Sequence, residues 1–330
     1  MSTMFTARPI IVGITIIFIA IGALGFWWGF EPAQFDVQQR AREAASESNH
    51  QVVKGYTTAT ALIEVSDIML NKSGGYLSND VLPPGILMDN IPSWEFGVLE
   101  MSRDLALALR KDFSRSQSQS LENPRLVKAQ PYFNNDSNRW LLPSSESQYG
   151  KAVAELRLYR SELGSVADAN TQFYARADNL RDWLKQVEKR LGSLSQKLSA
   201  SVGSEVINTD LAGDSAASQS TPQQQVFINK TSWFQLDNNF YEARGATWAL
   251  LHFLQAIEVD FADVLEKKNA TVSLRQIIRE LEATQESVFS PVILNGDGFG
   301  LVANHSLVMA NYISRANAAL IELSELLNQG

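Results

Sequence analysis

One stretch constrains this chain more than any other. Between Arg8 and Glu31 runs PIIVGITIIFIAIGALGFWWGF, opening at Pro9 and closing at Phe30, without a charged residue. As a helix it extends about 30 Å, the thickness of a hydrocarbon core, so it reads as a transmembrane helix over residues 9–30. Trp27 and Trp28 fall at its far end, where indole rings prefer the headgroup region. A cleaved signal peptide is the competing reading, with Ala23 and Gly25 as small residues near a cleavage site. The thin basic flank and the continuation of the run through Phe26, Trp27, Trp28 and Phe30 favour a retained span. Basic residues on the two sides nearly balance: Arg8 and the amino terminus against Arg40 and Arg42. The acidic flank of Glu31 and Asp36 and the short N-terminal tail place the large domain outside. Gly25 and Gly29 make a GxxxG spacing, which in a span this rich in glycine reads as composition before a dimer seam.

Beyond the span, helical period dominates. Residues 1–8 form a short tail and 31–50 a juxtamembrane segment, followed by the first part of a helical bundle over 51–202. A helix is expected from Tyr56 to Leu70, stopped by Ser73, Gly74 and Gly75. Trp94, Val98, Met101, Leu105, Leu109 and Phe113 form a second stripe, ended by the polar SRSQSQSLENP. Pro83, Pro84 and Pro92 make the stretch between these helices an ordered loop. A third helix follows LPSSESQY, whose serines and Glu146 suit an N-terminal cap. A fourth carries Phe173, Ala177, Leu180, Leu184, Val187, Leu191, Leu194 and Leu198 at heptad spacing. Arg176, Arg181, Arg190 and Lys197 beside that seam would repel across a parallel dimer, so the seam is expected to pack within the chain.

Residues 203–225 lose their aromatics and read as a flexible polar linker. The second part of the bundle, 226–330, brings a strong stripe from Leu236 to Val264, a helix around Leu274, Ile277, Ile278 and Leu281, and a last one from Leu301 to Leu327. No set of alternating strands is evident. The fold class is all-α: an N-terminal transmembrane helix followed by an extramembrane helical bundle, read as one composite bundle with an excursion between its halves.

Chemistry is scarce. The net charge of −8 argues against nucleic acid as a partner. The absence of cysteine removes disulfides, thiol catalysis and cysteine-ligated metals. His50, His252 and His305 form no ligand motif, and His305 on an apolar stripe reads as a hydrogen-bonded core histidine. Gly296, Gly298 and Gly300 lack the third glycine spacing of a dinucleotide loop and read as a tight turn into a helix. Glu258, Asp260, Asp263 and Glu266 offer carboxylates without singling out a catalytic pair. No catalytic, cofactor or metal residues are assigned. The candidate interaction loop lies between Gly74 and Trp94, with Tyr76, Asp80, Asp89 and Trp94 as its aromatic and acidic members.

GGYLSNDVLPPG (74–85), RKDFSRSQSQS (110–120), LPSSESQY (142–149), QFYARADNL (172–180) and RLGSLSQKLSASVG (190–203) together resemble an uncharacterised bacterial family, domain of unknown function 2333. The resemblance runs over most of the chain and implies a Gram-negative envelope protein held in the inner membrane. It carries over no substrate and no catalytic residue. The resulting expectation is a non-enzymatic protein-binding or scaffolding module, with the membrane and an envelope protein as partners and the large domain periplasmic. A small-molecule or lipid sensor with a pocket between helices is the alternative, and an envelope hydrolase using a carboxylate pair the weakest reading.

Overall fold

In the computed structural model, residues 4–117, 119–165, 171–207, 226–290, 292–298 and 300–329 are described. The first helix, α1, spans Met4–Trp28. Its stretch Pro9–Trp28 is long and apolar enough to cross a membrane, and none of its residues is buried in the protein.

The remaining helices form one bundle. α2 (Val37–Glu47) starts where the Asp36 carboxylate accepts the amides of Gln38 and Gln39. It occupies most of the expected juxtamembrane segment and buries Val37, Ala41, Ala44 and Ala45. α3 (Tyr56–Asn71) follows, then α4 (Asn90–Ala108), which is continued by a π-helical turn, Leu109–Phe113. Pro92 therefore lies inside α4, in the segment read as loop. In a first turn the missing N–H has no intrahelical partner to lose, so proline is tolerated there. α5 (Pro124–Phe133) is a helix that the polar, proline-flanked sequence did not announce, started by the Asn123 side chain.

α6 (Ser145–Gly164) begins at the expected place but without the expected cap. The Ser145 hydroxyl instead donates to the Asp136 carbonyl (2.6 Å), and Glu146 accepts from the Asn79 amide (2.5 Å). α7 (Ala177–Ser199) turns its heptad seam inward, burying Leu180, Leu184, Val187, Leu191, Leu194 and Leu198. Phe173 precedes this helix.

Two short strands, β1 (Ser204–Ile207) and β2 (Val226–Asn229), pair antiparallel, so the start of the expected linker is a strand paired with the start of the second part. The rest of that linker, 208–225, lies outside the described residues.

α8 (Leu236–Asp260) and the short α9 (Ala262–Lys267) divide the single expected stripe at Phe261. α10 (Thr271–Ala283) and α11 (His305–Asn328) complete the fold. α11 starts four residues later than expected, with Asn304 capping the Leu307 amide, and Leu301 and Val302 are left exposed.

One apolar core runs from Val37 to Leu327 through both parts of the chain. Its spine is the parallel pair α4 and α8, which approach so closely that only glycine fits at the crossing. A Cβ on Gly97 would overlap the Glu242 carbonyl oxygen and the Ala246 nitrogen; one on Gly245 would overlap the Trp94 carbonyl. The Trp94 and Trp248 rings pack beside this crossing at 5.1 Å. α7 and α11 lie antiparallel on the flank, with Ser195 against Ser314 (2.6 Å) and Arg181 against Asn328 (2.8 Å).

Candidate interaction site at the root of the first helix

The segment after α1 is bound into the bundle side by side with the proline-containing loop. A Cβ on Gly74 would come within 2.7 Å of the Trp28 ring, and one on Gly25 within 3.2 Å of Pro84. Glu31 accepts from Arg244 Nε (2.5 Å), and the same guanidinium donates to the Thr284, Gln285 and Glu286 carbonyls. These carbonyls belong to the turn that follows α10, which the arginine holds in place. Burial raises the Glu31 carboxyl pKa, against the lowering pull of Arg244. Further along, the Phe35 amide donates to His252 Nε2 (3.1 Å) and its ring stacks on the imidazole at 4.1 Å. His252 Nδ1 lies 2.7 Å from the Trp248 carbonyl, which makes it the donor and fixes a neutral ring. Burial depresses its pKa to about 4.

The loop itself is organised by a buried ion pair. Glu95, on the first turns of α4, accepts from Lys72, from the Leu77 and Ser78 amides (2.9 and 2.8 Å) and from the Ser78 hydroxyl (2.5 Å). Lys72 also donates to the Gly75 carbonyl. Burial raises the Glu95 pKa, and the lysine charge and these donors oppose it. Four donors around one carboxylate bend the chain after α3 into a fixed shape.

This arrangement redistributes the four residues singled out in the sequence. Tyr76 is buried, its hydroxyl donating to the Ser137 carbonyl (3.0 Å), and desolvation drives its pKa upward. Trp94 is fully buried at the α4–α8 crossing. Neither presents a surface: the loop folds back on the core and takes Tyr76 with it, and Trp94 lies on α4 and faces α8. Asp80 is half-buried against Gly85, its pKa raised by burial and by nearby Glu146. Asp89 precedes α4 and lines a small cleft with Trp233, Phe234 and Val292.

What the loop exposes is apolar: Leu82 at 73%, Leu87 at 74%, with Val81 and Ile86 beside them. The charged and aromatic residues singled out in the sequence do not include these. A run of aliphatic residues between prolines was the available signal. The neighbouring segment, held by Asn79 donating to the Arg139 carbonyl (3.0 Å), exposes Trp140, Leu141 and Leu142.

Elsewhere, the acids of α8 and α9 separate. Glu258 pairs with Arg275 (2.6 Å), Asp263 with Lys54, and Asp260 accepts the Thr58 amide (2.7 Å) and hydroxyl (2.6 Å). Asp260 thus caps α3 from another helix, and burial raises its pKa to about 6. His305 is half-buried at the head of α11, and its Nδ1 accepts from the Leu294 amide (3.1 Å). It belongs to a loop contact and not to the core, whereas His252 is the buried histidine. The glycine turn closes through Gly296 donating to Ala303 (3.0 Å). A cleft of about 470 Å³ opens between α8, the turn after α10 and α11, lined by Phe240, Val288, Met309 and Tyr312 with Arg244 and His305.

The class defined by these features is an all-α bundle whose N-terminal apolar helix is built into its architecture. The chain belongs to the bacterial family described as "Uncharacterized protein conserved in bacteria (DUF2333)", which matches residues 2–330. No curated protein and no solved structure matches it.

Proposed function

We propose that the chain is a single-pass inner-membrane protein whose helical bundle stands on the periplasmic side and acts by binding another envelope protein. The observation that carries the membrane half of this reading is α1. Ile10, Ile16, Phe18 and Ile19 on it stand open over its whole length, while its root is clamped by Trp28, Glu31 and Phe35. An exposed apolar helix of this length is costly in water and at rest in lipid. A rigid clamp, in turn, suits a domain held at a fixed height over the bilayer.

Support for binding over chemistry comes from how the perturbed acids are used. Glu31, Glu95 and Asp260 are each occupied in joining one segment of the fold to another. In-cell crosslinking of the tagged full-length protein, followed by mass spectrometry, tests the proposal. It requires one abundant envelope partner that disappears when residues 9–30 are replaced by an unrelated span. A clean monomer sinks it.

The cleft beside Arg244 favours a second reading, a lipid or small-molecule sensor, since its apolar walls and few polar groups are those of a ligand site. Native mass spectrometry from mild detergent separates the two: a stoichiometric small adduct lost on Met309→Trp supports the sensor.

A further inference from the structure

We propose that the face of the bundle around the root of α1 is itself a membrane-contacting surface, seated in the headgroup layer of the bilayer that α1 enters. This rests on the membrane reading of α1 and goes beyond it, because it assigns a second attachment formed by the folded domain.

Depth is the first argument. The stretch of α1 apolar enough to span a membrane ends at Trp28. Pro84 packs against Gly25, three residues or about 4.5 Å inside that end. The loop tip is therefore at the level of the membrane boundary wherever α1 crosses it. Leu82 and Leu87, either side of Pro84, stand open at that level.

Composition is the second. Each described segment reaching this face is uncharged at its tip: VLPPGILM (81–88), WLLPSS (140–145), TSWFQL (231–236), and SVFS (287–290) with VILNG (292–296). Contacts place them together. Residues 76 and 79 hold 137 and 139, Asp89 shares a cleft with Phe234 and Val292, and Arg244 ties the turn after α10 to Glu31. Leu142, Phe234 and Phe289 are among the most exposed apolar side chains of the domain. Aromatic and aliphatic side chains without charge are what an interfacial layer accepts at a depth of about 5–10 Å.

Charge fixes the kind of contact. Asp80, Asp89, Glu146, Asp237, Glu286 and Asp297 flank these tips, against Arg139 and Lys230. An acidic margin does not recruit anionic headgroups, so attachment comes from apolar insertion and zwitterionic lipid suffices.

The cysteine-free chain permits a direct test. The full-length protein carrying a single bimane-labelled cysteine at Ile16, Leu82, Phe234 or Val272 is reconstituted in phosphatidylcholine vesicles with brominated acyl chains. Bromolipid is expected to quench the labels at 16, 82 and 234 and to leave 272, at the opposite end, unquenched and open to aqueous iodide. Quenching at 16 with 82 and 234 behaving like 272 overturns the surface and leaves the anchor standing. An unquenched label at 16 overturns the anchor and the surface together. Labels at 82 and 234 shielded from both quenchers place a second protein copy on this face and overturn the bilayer as its occupant.

Discussion

The two ends of the bundle are built on the same core but finished in opposite ways. At the root of α1, loops close over buried polar contacts and expose aliphatic and aromatic tips: Leu82, Leu142, Phe234, Phe289. At the opposite end, Asp260 is buried against Thr58 as well, but the exposed loop contacts are charge pairs and backbone bonds, and the most open apolar side chains are the isolated Leu121 and Val272. Lys54 pairs with Asp263, Arg176 with Asp178, Lys268 with the Gln329 carbonyl, and the Tyr174 amide donates to the Phe113 carbonyl (2.7 Å). Packing alone gives no reason for the difference, since the same helices run between both ends. On the proposed reading, what differs is the medium each end meets.

The sharpest way to break the comparison is to cut the spine joining the ends. Gly97→Ala or Gly245→Ala puts a methyl into backbone atoms of the facing helix, and neither helix can yield without unseating Trp94 and Trp248. Either substitution is expected to cost about 5 kcal/mol, at the upper edge of single-site effects and enough to unfold many domains. Loss of the cooperative urea transition of the detergent-solubilised chain is the expected result. A transition within about 1 kcal/mol of the parent, the size of an ordinary substitution, contradicts the close approach.

Next in size is the buried pair of the root end. Glu95→Gln strands the Lys72 ammonium inside the protein, at a cost of about 3 kcal/mol or more, while Lys72→Met with Glu95→Leu recovers part of it. The matched change at the far end, Lys54→Met, breaks a pair that is more than half exposed and is expected to leave the urea midpoint where it was. Equal losses at both ends would erase the distinction between a loop shaped by a buried charge and one trimmed by surface charge.

How much of this the sequence disclosed depended on how local each feature is. α7 and α8 were legible because Leu184, Leu191, Leu250 and Ile257 repeat at helical steps with large side chains. α2 was not, because it buries Ala41, Ala44 and Ala45, whose pattern carries little weight. α5 hid behind its prolines. The glycine crossing, the capping of α3 by Asp260 and the clamp of Phe35 on His252 join residues far apart in the chain, and no window of sequence contains both partners. Gly97 and Gly245 did carry a hint, since glycine inside a helical stripe costs about 1 kcal/mol relative to alanine and asks for a reason. Of the expected interaction loop, 74–89 is a loop with one short turn while 90–94 begin α4, and its aromatics belong to the interior and not the surface. Tyr76 went inside because a buried carboxylate pulls the chain back onto α4, and Trp94 because it lies on α4 at the crossing with α8.

The pH dependence sharpens the comparison further, with opposite signs from two groups of α8. His252, which receives the chain coming from α1, has its folded pKa near 4 against an ordinary 6.5. The unfolded chain takes the proton first, so this stabilisation is present above 6.5 and lost as pH falls toward 4. Asp260, which closes the far end, has its folded pKa near 6 against 3.8. The folded chain keeps that proton longer, so its contribution is present below 3.8 and lost as pH rises through 6. Each is worth up to about 3 kcal/mol, and in the parent protein they oppose one another. His252→Gln should leave stability falling from pH 4 to 6.5, and Asp260→Asn should leave it rising. Urea midpoints at pH 4, 5, 6 and 7 read both slopes, and parallel curves for the two variants would remove the assignment.

The smallest effect on stability is expected where the comparison matters most for function. Leu82→Ser combined with Phe234→Ser alters side chains that stand open in the folded protein, so the urea midpoint in detergent should move by no more than about 0.5 kcal/mol. Val272→Ser, an equally open position at the far end, should do the same. The two ends should part in what they carry. If the root face is finished for lipid, its double variant should bind less detergent and lipid per chain, weighed by light scattering on the eluting complex, while the far-end variant binds as much as the parent. Equal loads for all three would mean that the exposed tips at the root do no more than the exposed valine at the other end, and the asymmetry would then need a partner other than lipid to explain it.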